Sequence, residues 1–317
     1  MNRRLALALR LGVIAIVVVG VWFFVRNLEW DKLGHAFASA KLWPLVAAIV
    51  LNLCCLWGKA TSWRIMLAPR FDVPIKRLFR YAIAAFAASA IAPARAGEVL
   101  RVWTLKRRDG VPAAATAAVA VAEKLLDGIT MLVLVAPVPW LLPGLPKWVG
   151  GSILLCSAIA VVLFVGLCIA VARTEGTGSR SIVRRFIVGM HVLRSPKRLA
   201  GAFGVIMLVW LADLGQVMLV FYAVGISLPI AAGLLTLFTL NLTIMVPSTP
   251  AQVGAFEVGA LAGLKLLHVE DERALAFALL YHTLQVIPVI VGGLALEMRL
   301  VLGREPVDGA SRPPGLD

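Results

Sequence analysis

Long runs of apolar residues, separated by short polar loops, make up most of the chain. A transmembrane helix needs about 20 apolar residues to cross ~30 Å of hydrocarbon. The pattern therefore predicts an all-α polytopic membrane protein with about six full transmembrane helices. The stretches that meet the length requirement are residues 6–25, 42–63, 113–136, 149–172, 201–224 and 274–298.

Two further apolar stretches are short or broken. Residues 81–92 would extend only about 18 Å as a helix, and basic loops flank them at 64–80 and 93–110. Because the positive-inside rule places such loops on one face, we expect this stretch to enter from the cytoplasm, break near Pro93 and return. Residues 229–268 would form a second hairpin from the opposite face. If both hairpins crossed fully, the chain would have eight or more spans.

Loop charge predicts the orientation of the chain. The basic loop at 173–200, the N-terminus and the C-terminus would all be cytoplasmic. Opposed broken hairpins are typical of transporters built from inverted repeats with a substrate site near the midplane, so the sequence is compatible with an inverted repeat. We expect residues 1–302 to form a single transmembrane domain and residues 303–317 a short, disordered cytoplasmic tail.

Composition supports the membrane interpretation and argues against nucleic-acid binding, metal binding and ATP hydrolysis. Apolar residues make up 61% of the chain and charged residues 15%, whereas soluble domains are near half apolar and a quarter charged. The net charge of +14 is better explained by anionic lipid headgroups than by nucleic acid. The four Cys and four His residues show no ligand spacing. No phosphate-binding loop or nucleophile elbow is present, so we expect no metal, no cofactor and no ATP hydrolysis.

The breaks in the two hairpins are the first candidate sites. Irregular backbone at membrane depth survives only when it is buried in protein or lines a wet cavity. The helices that follow the breaks, beginning near Glu98 and Ala255, would point partial positive charge at a ligand phosphate. The alternative is that both breaks are ordinary tight turns at the interface.

Ionisable residues inside the long apolar runs are the second group of candidates. Glu123 and Asp127 share a helix face and need a partner, for which Arg95 and Arg101 are available; the alternative is a structural salt bridge. Asp213 lies mid-span and would be a proton or cation site, or a helix–helix hydrogen bond.

Three further polar residues have simpler interpretations. Glu257 follows the second break and is a candidate of the same kind as Asp213. His282 and Gln285 share a face of the last long helix, and interhelical hydrogen bonding explains them. Lys59 falls at a predicted cytoplasmic helix end, where snorkelling explains it without a function.

The stretches PARAGEVLRVWTLKRRDG, AEKLLDG and PSTPAQVGAFEVGALAGL follow one another along the chain. Together they resemble the lysylphosphatidylglycerol synthase transmembrane region, a flippase-like family, and the resemblance extends over nearly the whole chain. Two positions depart from the family pattern. Lys124 replaces the usual Arg, which keeps the charge but loses the fork geometry, and Ala251 replaces the usual Gly after Pro250, which stiffens the turn.

The resemblance implies lipid handling. Bifunctional members carry a soluble aminoacyl-transferase domain after the membrane part, and this chain, which ends shortly after its last predicted span, would correspond to the flippase half alone. The implied function is a bacterial inner-membrane flippase that moves a polar lipid, such as a phospholipid, aminoacyl-phospholipid or glycolipid, without being an enzyme. The residues at motif positions, which would bind the substrate, are Arg95, Gly97, Glu98, Arg101, Glu123, Asp127, Pro250, Gly254 and Glu257.

Several alternatives stay open at this point. Asp213 is the best candidate for ion coupling, since ATP hydrolysis has no motif. The chain could instead be a membrane enzyme that acts on a lipid headgroup, or a scaffold that partners a separate lipid-modifying enzyme. A homodimer is also compatible with the sequence.

Overall fold

A computed structural model describes residues 30–68, 70–91, 96–173, 195–245 and 250–301, and every regular element in these ranges is a helix. The predicted all-α polytopic membrane protein is confirmed. The predicted span at 6–25, Arg95, most of the loop at 173–200 and the tail at 303–317 lie outside the described residues. The division into a domain and a tail therefore stays a prediction.

The helices follow the order of the apolar runs, and we number them along the chain. They are α1 (Trp30–Ser39), α2 (Leu42–Leu67), α3 (Ile75–Ile91), α4 (Ala96–Asp109), α5 (Ala113–Val135), α6 (Val138–Leu141), α7 (Lys147–Arg173), α8 (Pro196–Ala223), α9 (Ile230–Ile244), a 3-10 turn (Pro250–Gln252), α10 (Ala255–Lys265) and α11 (Asp271–Val301). Prolines precede or open several of these helices, because the first turn needs no donor from its backbone nitrogen.

Four of the described helices are long and apolar enough to cross a membrane. They are α2, α8, α7 over Lys147–Gly166 and α11 over Asp271–Leu296, and each coincides with a predicted span. Helix α5 fills the predicted span at 113–136 with 23 residues. It differs from the other four because it carries Glu123, Lys124 and Asp127 near its middle.

Burial separates the central helices from the peripheral ones. Within the apolar windows of these helices, 61% of α11 is buried but only 11% of α7. The largest apolar cluster lies where α8, α9, α10 and α11 meet, around Phe221, Phe277 and Leu280. A second cluster around Trp63, Met66 and Leu105 joins α2, α4 and α8. The exposed apolar surface of α7 is what a helix facing lipid requires.

An antiparallel helix pair occurs at the position of each predicted hairpin, whereas the entry of the two pairs into the membrane from opposite faces stays a prediction. In the first hairpin, Gly97 at the start of α4 lies against Ala85 near the end of α3. At the other end of the pair, the Tyr81 hydroxyl donates to Asp109 at 2.9 Å, and the Arg77 guanidinium donates to the same carboxylate at 2.6 Å. These contacts run in opposite directions along the two helices, so the chain folds back on itself between α3 and α4.

The second hairpin is held together by small residues. Gly259 of α10 lies against the backbone of Leu240 on α9, and Gly263 lies against the backbone of Thr236 one turn further along. Small residues four apart let two helix backbones approach closely, which favours association inside a membrane. The pair α9–α10 is therefore tightly joined over most of the length of α10.

The two hairpins meet each other and share a neighbour. The turn Pro250–Gln252 of the second hairpin packs against α3 of the first. Helix α11 packs against the same helix, where Gly293 lies beside Ala87 and the carbonyl of Ile83. The meeting of the hairpins is a finding, whereas its depth in the membrane and the inverted repeat stay predictions.

We expect Gly97→Ala to destabilise the first hairpin. A methyl group at Gly97 would overlap the Ala85 carbonyl oxygen and the Ser89 hydroxyl, and overpacking of this kind costs about 1–3 kcal/mol. The thermal midpoint of the purified protein in detergent should fall by at least about 3 °C. Gly128→Ala on α5 is the control, because no atom lies near its new methyl group; equal midpoints for the two variants would contradict the packing role.

Candidate functional site

Four buried charges and a tryptophan form a compact group beside the first hairpin. The Lys59 ammonium donates to both carboxylate oxygens of Asp127, at 2.5 and 2.6 Å, and lies 3.4 Å from Glu123. The Trp63 indole N–H donates to Glu123 at 2.8 Å, and the Arg101 guanidinium lies 3.5 Å from the same oxygen. We call these five residues the charged cluster.

The charged cluster is buried and balanced in charge. The exposed fractions of its ionised side chains range from 7% for Glu123 to 15% for Lys59. Two cations face two carboxylates, and the Arg101 guanidinium also lies 4.4 Å above the Trp63 ring. Charges in such surroundings are tolerated only when they are paired. The cluster thereby ties α2, α4 and α5 together.

The interpretation of Lys59 as a snorkelling residue is wrong. Helix α2 continues to Leu67, so Lys59 lies two turns before its end, and its side chain points inward to Asp127. The sequence carried a signal that could have shown this. Asn52, Cys55, Lys59 and Trp63 are spaced three or four residues apart and therefore lie on one face of α2.

The remaining residues of the first hairpin take different positions. Gly97 is buried against α3, and Glu98 is exposed in the first turn of α4. Arg95 lies outside the described residues. A narrow crevice between α2, α3 and α4 is lined by Lys59, Tyr81 and Arg101, so the charged cluster forms one wall of this crevice.

The turn of the second hairpin has an unusual backbone. Ala251 and Gln252 have φ of 52° and 61°, and Gly254 has φ of 90°. Residues other than glycine rarely adopt this left-handed region. The departure at Ala251 from the family pattern thus falls where the backbone itself favours glycine.

Glu257 and His282 hold this turn against α11. One carboxylate oxygen of Glu257 accepts from the Gly254 N–H at 2.7 Å and caps the N-terminus of α10. The other lies 2.6 Å from His282 Nδ1, while His282 Nε2 lies 2.8 Å from the Ala251 carbonyl. The Phe256 ring stacks on the imidazole with centroids 4.2 Å apart. We call Ala251, Gly254, Glu257 and His282 the turn lock.

Asp213 lies apart from both groups, among uncharged partners. One carboxylate oxygen accepts from the Tyr281 hydroxyl at 2.7 Å, from the Gln285 amide at 3.0 Å and from the Gln216 amide at 3.3 Å. Tyr281 and His282 are adjacent on α11. Tyr281 donates to Asp213, and His282 belongs to the turn lock, so adjacent residues of one helix contact both groups.

The polar face of α2 connects the Asp213 network to the charged cluster. The Asn52 amide donates to the carbonyls of Leu284 and Gln285 at 3.0 and 3.2 Å. One turn on, Cys55 Sγ accepts from the Gln216 amide at 3.4 Å. From Asn52 to Trp63 this face extends about 16 Å at 1.5 Å per residue. The site residues predicted from the sequence thus do not form one pocket. Arg101, Glu123 and Asp127 belong to the charged cluster and Glu257 and Gly254 to the turn lock, whereas Gly97, Glu98 and Asp213 lie outside both groups.

The chain belongs to the family described as the lysylphosphatidylglycerol synthase TM region. The family model matches residues 9–293, which include both hairpins, the charged cluster, the turn lock and Asp213. The resemblance that the motifs suggested is therefore confirmed. A comparison with curated proteins finds no match.

We expect Glu123→Gln to weaken the fold strongly. The variant leaves Lys59 and Arg101 buried with only one carboxylate, and breaking a buried pair in this way costs about 3 kcal/mol. Lys124→Gln is the matched control, because Lys124 is exposed on the same helix and its loss should change stability by less than about 0.5 kcal/mol. Thermal unfolding in detergent measures both, and a stable Glu123→Gln variant would show that the cluster does not hold the helices.

We expect glycine to be tolerated at Ala251 and costly at Ala260. At Ala251 the gain from relieving a left-handed backbone, about 1 kcal/mol, offsets the lost methyl packing of a side chain that is 6% exposed. At Ala260, buried inside α10, helix propensity and packing both fall, at a cost of about 1.5 kcal/mol. The two thermal midpoints should differ in this order; the reverse order would exclude a strained turn.

Proposed function

We propose that this membrane protein is a flippase that moves a polar lipid between leaflets, with its headgroup at the two hairpins. Family membership supports the handling of lipid headgroups. The observation that carries the proposal is the charged cluster, which keeps two cations and two carboxylates buried beside a helical hairpin. Buried ionisable residues in membrane proteins mark substrate or ion pathways.

Arg101 is the proposed phosphate ligand. A guanidinium presents five donors in a fork that matches phosphate oxygens, and Arg101 contacts Glu123 through one nitrogen at 3.5 Å. Lys59 is held more tightly, by Asp127 at 2.5 Å. A lipid phosphate would therefore displace Glu123 from Arg101 more readily than it would separate Lys59 from Asp127.

The carboxylates take the complementary role. Glu98, exposed in the first turn of α4, would face a cationic headgroup, and Glu123 would balance Arg101 whenever no phosphate is bound. Glu257 already caps α10. We therefore assign it to charge balance at the second hairpin, while the N-terminus of α4 would face the lipid phosphate and Arg95 would be a second phosphate ligand.

An ion gradient would supply the driving force, and Asp213 is the proposed coupling site. Three donors converge on one of its carboxylate oxygens. In the described part of the chain, the neighbouring Gln216 side-chain oxygen is buried and has no hydrogen-bond partner. A carboxylate beside a buried amide oxygen is the oxygen chemistry that a bound water or hard cation uses.

The basic loops support an orientation in the bacterial inner membrane with both termini cytoplasmic. In that orientation the first hairpin and the charged cluster would open toward the cytoplasm, and the second hairpin toward the other side. A lipid would pass from one to the other while its acyl chains stay in the bilayer. A homodimer or a partner lipid-modifying enzyme would be compatible with the same path.

We expect Arg101→Gln to slow lipid movement at least tenfold, the effect of losing one charge-assisted contact. Purified protein is reconstituted into vesicles of anionic and zwitterionic phospholipid, and the accessibility of fluorescent phospholipids to a membrane-impermeant quencher is followed over time. Mass spectrometry of the copurified lipids identifies the native substrate for a second round of the assay.

Two controls separate the alternatives. Lys106→Gln removes an exposed charge from the same helix and should leave the rate unchanged, and Arg101→Lys, which keeps charge without the fork, should be intermediate. Well-folded protein that moves neither the fluorescent nor the copurified lipids would refute the flippase. Chemical turnover of a lipid headgroup in the same vesicles would favour the membrane enzyme instead.

A further inference from the structure

We infer that the turn lock is a proton-binding site: a single proton, shared between His282 and Glu257, fastens the turn of the second hairpin to α11. The inference that a proton holds the turn against α11 does not depend on the proposed function. The use of the turn lock as a coupling site for lipid movement rests on the proposed function, and the lock adds a proton site to the ion-coupling site proposed at Asp213.

The donor and acceptor inventory requires this proton. The Ala251 carbonyl can only accept, so His282 Nε2 at 2.8 Å must carry a hydrogen. An ionised Glu257 also can only accept, and its oxygen lies 2.6 Å from Nδ1. The contact therefore needs one more proton, carried either by Nδ1 of an imidazolium or by the Glu257 carboxyl group.

Loss of that proton converts the contact from attractive to repulsive. With Nε2 still donating to Ala251, Nδ1 would present a lone pair to a carboxylate oxygen at hydrogen-bond distance. The His282 side chain is only 3% exposed, and the Phe256 ring covers one face of it, so water would have little room to intervene. The imidazole and the carboxylate would have to separate, and the turn would lose its attachment to α11.

The charged residues on the neighbouring helices bind other partners or lie far from His282 and Glu257. Asp213 of α8 is bound by Tyr281 and Gln285 on α11. The only other charged residue of α10, Lys265, is exposed and pairs with Asp271. The cations of α3 lie near its N-terminus. There Arg80 donates to the Leu296 carbonyl, which is about 21 Å along α11 from His282. Helix α9 and the turn Pro250–Gln252 carry no ionisable side chain.

Opening of the turn lock would affect both hairpins, because the lock lies where they meet. The turn that it holds packs against α3, and the same turn leads into α10, whose N-terminus Glu257 caps. The close packing of α9 on α10 at Gly259 and Gly263 would make the hairpin move as a unit. A proton leaving this site would therefore loosen the second hairpin where it meets the first.

Glu257→Gln tests the inference because it keeps every contact and removes the proton. The glutamine oxygen can accept from the Gly254 N–H, and its amide N–H can donate to Nδ1 of a neutral imidazole, which still donates from Nε2 to Ala251. The variant lock would stay closed at any pH at which the protein is folded. His268→Asn is the histidine control, since His268 is exposed after α10, and Asn tolerates its φ of 56°.

Hydrogen–deuterium exchange of peptides covering residues 250–265 gives a readout that does not depend on transport. Exchange of the purified protein in nanodiscs is measured from about pH 5 to pH 9, a range wider than the roughly pH 5–8 over which an unperturbed histidine changes charge, and is corrected for chemical exchange rates. We expect the wild type and His268→Asn to lose roughly tenfold in protection as pH rises, the effect of one charge-assisted hydrogen bond. Glu257→Gln should stay protected throughout.

The outcomes separate this inference from the flippase proposal. Equal pH profiles for the wild type and Glu257→Gln would overturn the proton site. If Glu257→Gln does not fold, His282→Asn takes its place: its amide replaces the Nδ1–H, the contact to Ala251 is lost, and its lower protection should not change with pH; a pH profile like that of the wild type would overturn the proton site. In vesicles with an imposed pH gradient, lipid movement accompanied by pH-independent protection would overturn the inference and leave the flippase standing. A pH-dependent lock without any lipid movement would support the proton site and remove the flippase.

Discussion

A charge buried in a membrane protein must be matched by a partner, because the surrounding apolar medium offers no water to solvate it. The helix arrangement depends on this requirement. Lys59 reaches Asp127 only because α2 and α5 lie side by side, and Arg101 reaches Glu123 only because α4 folds back along α3. Apolar packing alone would allow these helices to slide or rotate, since lipid and apolar side chains are alike in polarity. The paired charges select one arrangement.

The same pairing defines what a substrate would have to do. The contact between Arg101 and Glu123 is longer than that between Lys59 and Asp127. The Arg101–Glu123 pair is therefore the weaker of the two ion pairs in the cluster. An anionic headgroup would compete with an internal carboxylate rather than fill an empty pocket. Exchange of one partner for another keeps the number of buried charges balanced throughout, which lowers the barrier compared with creating an unpaired charge.

The apolar pattern predicted the class of fold and both hairpins, because the positions of breaks and basic loops are local properties of the chain. Partnerships across helices were harder to predict. Arg101 was available to Glu123 by proximity along the chain, but Lys59 lies more than 60 residues from Asp127, and only the rotation of α2 decides whether it faces lipid or protein. His282 was interpreted as a hydrogen-bonding residue, which it is, yet its link to Ala251 depends on a left-handed turn. The glycine that the family pattern has at this position is consistent with such a turn but did not identify His282 as its partner.

The polar face of α2 has a consequence for the membranes this protein can inhabit. Asn52 contacts α11, Cys55 contacts α8, and Lys59 and Trp63 both contact α5, so the rotational register of α2 is fixed at four heights. A one-residue insertion among them would rotate part of the face by about 100° and separate several contacts at once. Adaptation to a thicker bilayer therefore has to come from residues added at the ends of α2. The segment from Asn52 to Trp63 must keep its length, because its contacts fix the spacing of these side chains along the helix.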